Sequence, residues 1–97
     1  MIKEGKKKMR MMKNVSLIET RKNNELVILN MDNGKYYGLQ DTSLEIWDLM
    51  ERGYKDENEL LYEVLNIYNE DKEIITKEVK EFISNLTKEG LIACEEI

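Results

Sequence analysis

The spacing of apolar residues predicts two strands near the start of the chain. Residues 15–21 hold β-branched and apolar residues without helical spacing, and residues 25–31 form a continuous apolar run of strand length. The turn-prone sequence KNN, residues 22–24, separates them. A continuous apolar run is typical of a strand with neighbours on both sides. We therefore predict an antiparallel pair whose second member is the central strand of a sheet.

A hairpin signal follows the second strand. Asn33 and Gly34 are the pair that most readily adopts a type I′ turn, in which both central residues need a positive φ. The sequence KYYGL, residues 35–39, is therefore predicted to fold back as a third strand. In such a meander the first and third strands are edges with unpaired main-chain groups.

The apolar spacing becomes helical at Leu44. Thr42 and Glu45 have the spacing of a capping box, so we predict that they start the first helix. Gly53 is predicted to end it, because glycine readily takes the left-handed conformation after a helix. The acidic and apolar residues between these points give an amphipathic helix.

Two further amphipathic helices are predicted over residues 56–68 and 72–89. The third helix should direct one stripe of apolar side chains at the core: Ile75, Val79, Phe82 and Leu86. Residues 91–92 would close the core as a short strand or a turn. The expected fold is α+β and winged-helix-like, with a three-stranded antiparallel β-meander followed by three helices that pack on one face of the sheet.

Length and charge divide the chain into a tail and one domain. Residues 1–13 hold six Lys/Arg against one acidic residue, so they are predicted to be a basic, disordered N-terminal tail. Residues 14–97 are predicted to form the domain, because 97 residues suit one small core. That part holds nine Lys/Arg against 19 Asp/Glu, a net charge of −10, which disfavours binding to nucleic acid.

The composition favours a binding protein over an enzyme. The chain has no histidine and a single cysteine, Cys94, so the usual ligands of zinc and haem and the usual nucleophile–base pairs are missing. We expect no catalytic residues, no metal and no cofactor. A lone cysteine also suits the reducing cytoplasm. No apolar run reaches the length of a signal peptide or a membrane span, so no membrane partner is expected.

Two stretches of the chain are similar to known sequence patterns. LQDTSLEIWDLMERG, residues 39–53, is similar to the pattern L-N-x-T-G-A-x-I-W-x-L-x-x-G, and KEVKEFISNLTKEGLI, residues 77–92, is similar to D-V-x-x-F-L-x-x-L-x-x-x-G-L-[LI]. Through these motifs the chain resembles the PqqD-like family, the winged-helix recognition elements of ribosomally made, post-translationally modified peptides. The residues in register are Leu39, Thr42, Ile46, Trp47, Leu49, Val79, Phe82, Ile83, Leu86, Gly90, Leu91 and Ile92, and Gly53 comes one position after the glycine of the first pattern. The departures are Gln40, Ser43, Leu44 and Glu78.

The resemblance implies a non-enzymatic adaptor that binds the leader of a precursor peptide and delivers it to a modification enzyme or a leader protease. A radical-SAM enzyme is one such partner, and the GKYYGL strand favours the lasso-peptide type. In this family the leader adds as a strand to the third strand, in the cleft beside the third helix. On the helix, the family's acidic position favours the side of Glu78 over that of Thr76, Ile83 and Thr87. The implied peptide-binding residues are Lys35, Tyr36, Tyr37, Gly38, Leu39, Ile74, Glu78, Glu81 and Asn85.

Two alternatives remain open from the sequence. A winged-helix nucleic-acid-binding protein would read DNA with one of its last two helices, although residues 70–89 carry six acidic against four basic side chains. An edge-paired structural homodimer would join the third strand to its own copy. The adaptor itself is expected to be a monomer or a weak homodimer. Trp47 and Phe82 are expected to be packing residues.

Overall fold

The computed structural model describes residues 9–96 and confirms the predicted α+β fold. Strands β2, β3 and β4 form an antiparallel sheet in that order, and β1 pairs with β5 in a separate two-stranded sheet. Three helices follow β4. The elements are β1 (Met9–Lys13), β2 (Leu17–Lys22), β3 (Glu25–Asn30), β4 (Lys35–Gln40), α1 (Asp41–Glu51), α2 (Glu57–Ile67), α3 (Lys72–Lys88) and β5 (Ile92–Glu96).

The N-terminal segment differs from its prediction. Residues 1–13 were expected to be a disordered tail, whereas Met9–Lys13 form β1, antiparallel to β5. Residues 1–8 lie outside the described part of the chain. Met11 is buried in the core at 2% exposure, and its N–H donates to the carbonyl of Lys55 at 2.7 Å. Burial of this side chain explains why the segment is ordered.

Each strand of the three-stranded sheet alternates between two faces. The inner face packs against the helices, and Leu26, Ile28 and Leu39 are buried there. The outer face carries three cross-strand rows, which the register fixes: Ile18, Leu29 and Tyr36; Thr20, Val27 and Gly38; Lys22, Glu25 and Gln40.

The β3–β4 hairpin forms as predicted, but the type I′ turn is wrong. Residues 31–34 make a four-residue loop between the paired Asn30 and Lys35. Gly34 has φ 73°, whereas Asn33 does not have a positive φ. The Asn33 side-chain oxygen accepts the Lys35 N–H at 2.9 Å, and Gly34 N–H donates to the Asn30 carbonyl at 2.8 Å. These bonds stabilise a wider loop with one left-handed residue.

Asn30 fixes this hairpin to the end of α3. It is the buried polar residue of the core, 2% exposed. Its amide nitrogen donates to the Glu89 carbonyl at 3.2 Å, and its oxygen accepts the Asp32 N–H at 3.0 Å. Both ends of the buried amide are therefore satisfied.

Strand β4 passes into α1 without a connecting loop. The N-cap of α1 is Gln40, so the predicted Thr42–Glu45 capping box is wrong. The Ser43 hydroxyl accepts the Gln40 N–H at 3.1 Å and lies 2.7 Å from the Gln40 carbonyl, to which it donates. Asp41 has φ 52°, a left-handed conformation that aspartate tolerates better than most residues. This single residue makes the sharp corner.

The core stripe of α3 is rotated relative to its prediction. Ile83, which was placed beside the stripe, is buried at 4% exposure, whereas Phe82 is only partly buried. The buried side chains of α3 are Ile75, Val79, Ile83 and Leu86. Phe82 therefore lies at the margin of the core, on the same side as Glu78. Trp47 is fully buried, as expected for a packing residue.

Lys13 connects β1 to β2 and α1. Its ammonium group contacts the carboxylates of Glu19 and Glu51 and lies 5.2 Å from the centroid of the Trp47 ring. The indole N–H of Trp47 donates to Glu19 at 2.9 Å. Burial lowers the pKa of Lys13, but hydrogen bonds and charge from the two carboxylates outweigh this effect, and the pKa is raised overall.

No helix between residues 9 and 96 has both the length and the apolar character needed to cross a membrane.

Candidate functional site

Within residues 9–96, β4 pairs with β3 alone and leaves its other side free. In antiparallel strands, successive residues direct their N–H and C=O groups to alternate sides. Glu25 and Lys22 close a two-residue hairpin, and Met31 N–H donates to the Ser16 carbonyl at 3.0 Å. Odd-numbered residues of β3 therefore bond to β2, and even-numbered ones bond to β4.

The same alternation identifies which β4 groups are free. Tyr37 and Leu39 lie opposite even-numbered residues of β3 and bond to them. Lys35 also lies opposite an even-numbered residue, but its N–H donates to the Asn33 side chain. Tyr36, Gly38 and Gln40 direct their groups away from the sheet, but the N–H of Gln40 is taken by Ser43. What remains is an open edge, defined here as the N–H and C=O groups of Tyr36 and Gly38.

A pocket of about 170 Å³ lies between the start of α1 and the middle of α3. We name it the α1–α3 pocket, and its lining residues are Thr42, Ser43, Ile46, Glu78 and Phe82. Helix α3 packs mainly on α2 and β5 rather than on β4. Because Thr42 and Ser43 follow β4 almost directly, the pocket begins where β4 ends.

The β4 positions implied by the resemblance all lie in that strand, in three different environments. The side chain of Leu39 is buried in the core, and that of Tyr37 is partly buried, with its hydroxyl 3.3 Å from the amide nitrogen of Asn33. Tyr36 is 70% exposed. Lys35 and Gly38 are exposed as well. The strand therefore offers its main chain and Tyr36 rather than a continuous row of side chains.

The α3 positions are all exposed, and the structure brings one of them to the pocket. Glu78 lines it next to Phe82, and Ile74 lies one turn earlier with 54% exposure. Glu81 lines a different, shallower depression and lies 4.0 Å from the ammonium group of Lys77. Asn85 lies one turn beyond Glu81, near the end of the helix.

Sequence reasoning missed two parts of this region. Thr42, Ser43 and Ile46 line the pocket, although their motif positions suggested only capping and packing. Glu25 is the other, and it belongs to no sequence motif. Its carboxylate accepts a hydrogen bond from the Gln40 side chain at 2.9 Å and lies 3.3 Å from the point that a Cβ of Gly38 would occupy. The strand register brings Glu25 next to Gly38, so no local sequence pattern predicts this contact.

Comparison with known proteins gives a consistent family assignment. The profile of "Coenzyme PQQ synthesis protein D (PqqD)" matches residues 25–92. The solved structure "TbiB1 in Complex with the TbiA(beta) Leader Peptide" superposes with a TM-score of 0.75 at 23% identity, covering 84% of this chain and 93% of that chain. At this identity the likeness shows a shared fold. No curated protein matches the sequence significantly. Because the profile matches more than two thirds of the chain, from β3 to the start of β5, the chain belongs to the PqqD family.

Proposed function

We propose that this protein is a non-catalytic adaptor that binds the leader of a ribosomally synthesised precursor peptide. The leader would add as a strand to the open edge of β4. The observation that carries the proposal is the position of that edge, directly before the α1–α3 pocket. TbiB1, which shares the fold, is bound to a leader peptide.

An extended peptide fits the geometry of the open edge. The N–H and C=O groups of Tyr36 and Gly38 would form four strand hydrogen bonds, each contributing about 1 kcal/mol net. Side chains of the added strand alternate between the two faces, so those on the inner face point toward Phe82 and the pocket. Two or three apolar side chains buried on that face would contribute about 2 kcal/mol each.

Reversible binding suits delivery. Ordering a disordered leader takes back about 2–5 kcal/mol, which leaves about 3–8 kcal/mol and a dissociation constant between the millimolar and the micromolar range. An adaptor of this kind holds the leader long enough to present the precursor and then releases the leader. The partners we propose are a peptide-modifying enzyme, including a radical-SAM enzyme, or a leader protease.

Calorimetric titration tests this function. The probe is a synthetic leader, made from a short precursor reading frame beside this gene, and the control is the same peptide with a scrambled sequence. We expect saturable binding of the leader alone. Absence of binding to a protein shown to be folded by circular dichroism contradicts the proposal.

The open edge would also accept the same strand from a second copy of the chain, which is the structural alternative. Light scattering with and without leader separates the two functions. We expect a monomer, or a dimer that the leader dissociates. A stable dimer that no leader dissociates favours the structural role.

A further inference from the structure

The outer face of β4 presents a gap next to the open edge. Tyr36, Gly38 and Gln40 share this face because residues two apart in a strand point the same way. Gly38 has no side chain, and the Glu25 carboxylate from the neighbouring strand uses the space above it. The Gln40 amide holds this carboxylate in place at 2.9 Å.

The Glu25 carboxylate has no ionic partner in the described part of the chain: no lysine or arginine nitrogen lies within 4.0 Å of it. Lys22 is opposite Glu25 in the register, but it belongs to β2, on the side away from the open edge. A cation that approaches from the open edge therefore meets a carboxylate already oriented by a hydrogen bond.

An added strand would place one side chain at this gap. The peptide residue that pairs with Gly38 directs its side chain to the same face as Gly38. There it meets no Cβ, with the Glu25 carboxylate ahead and the Tyr36 ring, 70% exposed, beside it. An apolar side chain could cover the glycine, but it would remove water from an unpaired carboxylate, which is unfavourable.

Resting on the adaptor function, we propose that the leader residue paired with Gly38 is lysine or arginine. Its apolar stem lies over Gly38, its charge pairs with Glu25, and the Tyr36 ring contributes a cation–π contact. The domain that receives it has a net charge of −10 over residues 14–97, which also attracts a basic leader. Glu25 and Gly38 would thus select the leader through a contact on the outer face, separate from the α1–α3 pocket.

The experiment uses peptides selected on the wild-type protein from a phage-displayed library of random peptides. Binders are synthesised with a fluorescein label and measured by anisotropy. Each lysine and arginine of a binder is replaced by methionine, one at a time, and titrated against wild type and Glu25→Gln. Glutamine keeps an oxygen for the hydrogen bond from Gln40 and removes only the charge.

We expect one cationic residue whose replacement weakens binding to wild type about tenfold and binding to Glu25→Gln less than about twofold. Glu63→Gln makes the same charge change on α2 and should show no such coupling. Gly38→Ala should reduce the coupling, because its Cβ would displace the carboxylate.

Three results separate the inference from the function on which it rests. If Gly38→Pro abolishes binding but no cation couples to Glu25, the inference is wrong and strand addition stands. Binders that place an apolar residue opposite Gly38 and bind Glu25→Gln as tightly as wild type overturn it in favour of an apolar outer contact. If the library yields no binder, or if Gly38→Pro leaves binding intact, strand addition itself fails and the inference fails with it.

Discussion

Strands β1 and β4 each lie at the edge of a sheet, and their other sides differ. On one side β1 pairs with β5, and on the other it meets the segment before α2, where Arg10 forms a bridge with Asp56. Within residues 9–96, β4 has a neighbour on one side only. The chain thus covers both sides of β1, with β5 on one side and with the segment before α2 on the other.

Strand β2 is also an edge of the three-stranded sheet, but it carries the charged residues Glu19, Arg21 and Lys22. Exposed edges recruit other strands, and proteins normally protect them with charged residues, proline or bulges. Among the β4 residues Lys35 alone carries a charge, and the strand has no proline. An edge left this accessible, next to a pocket, is a feature to be tested.

The largest effect is expected from proline at the open edge. Gly38→Pro removes an N–H that points away from β3, so the fold should survive while peptide affinity falls by at least about 100-fold. Fluorescence anisotropy measures the affinity, and circular dichroism checks the fold. Gly38→Ala adds a Cβ but keeps the N–H, so it should lose at most the roughly tenfold contribution of the Glu25 contact and separates that loss from the loss of the strand hydrogen bond.

Tyr37→Pro applies the same test to a β4 residue on the side of the strand that faces β3. The N–H of Tyr37 bonds to β3, so proline there should destabilise the fold itself by about 3 kcal/mol. If Gly38→Pro unfolds the protein as readily as Tyr37→Pro does, the assignment of free and bonded groups along β4 is wrong.

The closed edge is tested by shortening a buried side chain. Met11→Ala should lower the free energy of unfolding by about 2–4 kcal/mol, since Met11 is 2% exposed. Met12→Ala, at a side chain 38% exposed, should lower it by about 0.5 kcal/mol. Urea denaturation measures both. Loss of peptide binding by folded Met11→Ala would show that the two edges are coupled.

A smaller effect is expected where α3 faces the pocket. Phe82→Ala should weaken peptide binding about tenfold, because an apolar contact of roughly 1–1.5 kcal/mol is lost. Ile83→Ala, at the adjacent buried residue, should lower stability by about 2–4 kcal/mol and leave the affinity of the folded protein unchanged. Equal effects of the two variants on affinity would mean that the pocket takes no part in binding.

The smallest effect concerns Lys13 and pH. The pKa of Lys13 is raised in the folded state, so its contribution to stability is full below about pH 10.5 and is lost as the pH rises through the folded value. Lys13→Met should therefore be less stable than wild type by about 0.5–1 kcal/mol at neutral pH, a difference that shrinks above pH 10.5. Urea titrations across this range measure it, and a difference that grows with pH contradicts the assignment.

Local sequence patterns predicted the elements whose formation depends on residues close together in the sequence. The meander and the three helices follow from apolar spacing and turn residues, and their bounds agree with the prediction to within a few residues. Strand β1 does not follow from local patterns, because Met11 and Met12 are weak strand formers and their partners Cys94 and Ala93 lie at the other end of the chain. Ordering of that segment depends on tertiary pairing.

The candidate site was likewise predictable only where it depends on local sequence patterns. The edge position of β4 follows from the meander, and so does the side of α3 that carries Glu78. The exchange of Phe82 for Ile83 in the core could not be foreseen, since both are apolar and adjacent, and only packing decides between them. The position of Glu25 above Gly38 depends on register, which a single sequence does not state.

The buried Trp47 and the exposed Tyr36 give this molecule two separate optical reporters. It is the chain's single tryptophan, fully enclosed beneath Lys13, so its emission should shift to longer wavelength only when the domain unfolds. Tyr36, 70% exposed on β4, should instead change its ultraviolet absorbance when a peptide covers it. Unfolding and ligand capture can therefore be followed in one cuvette, without attached dyes.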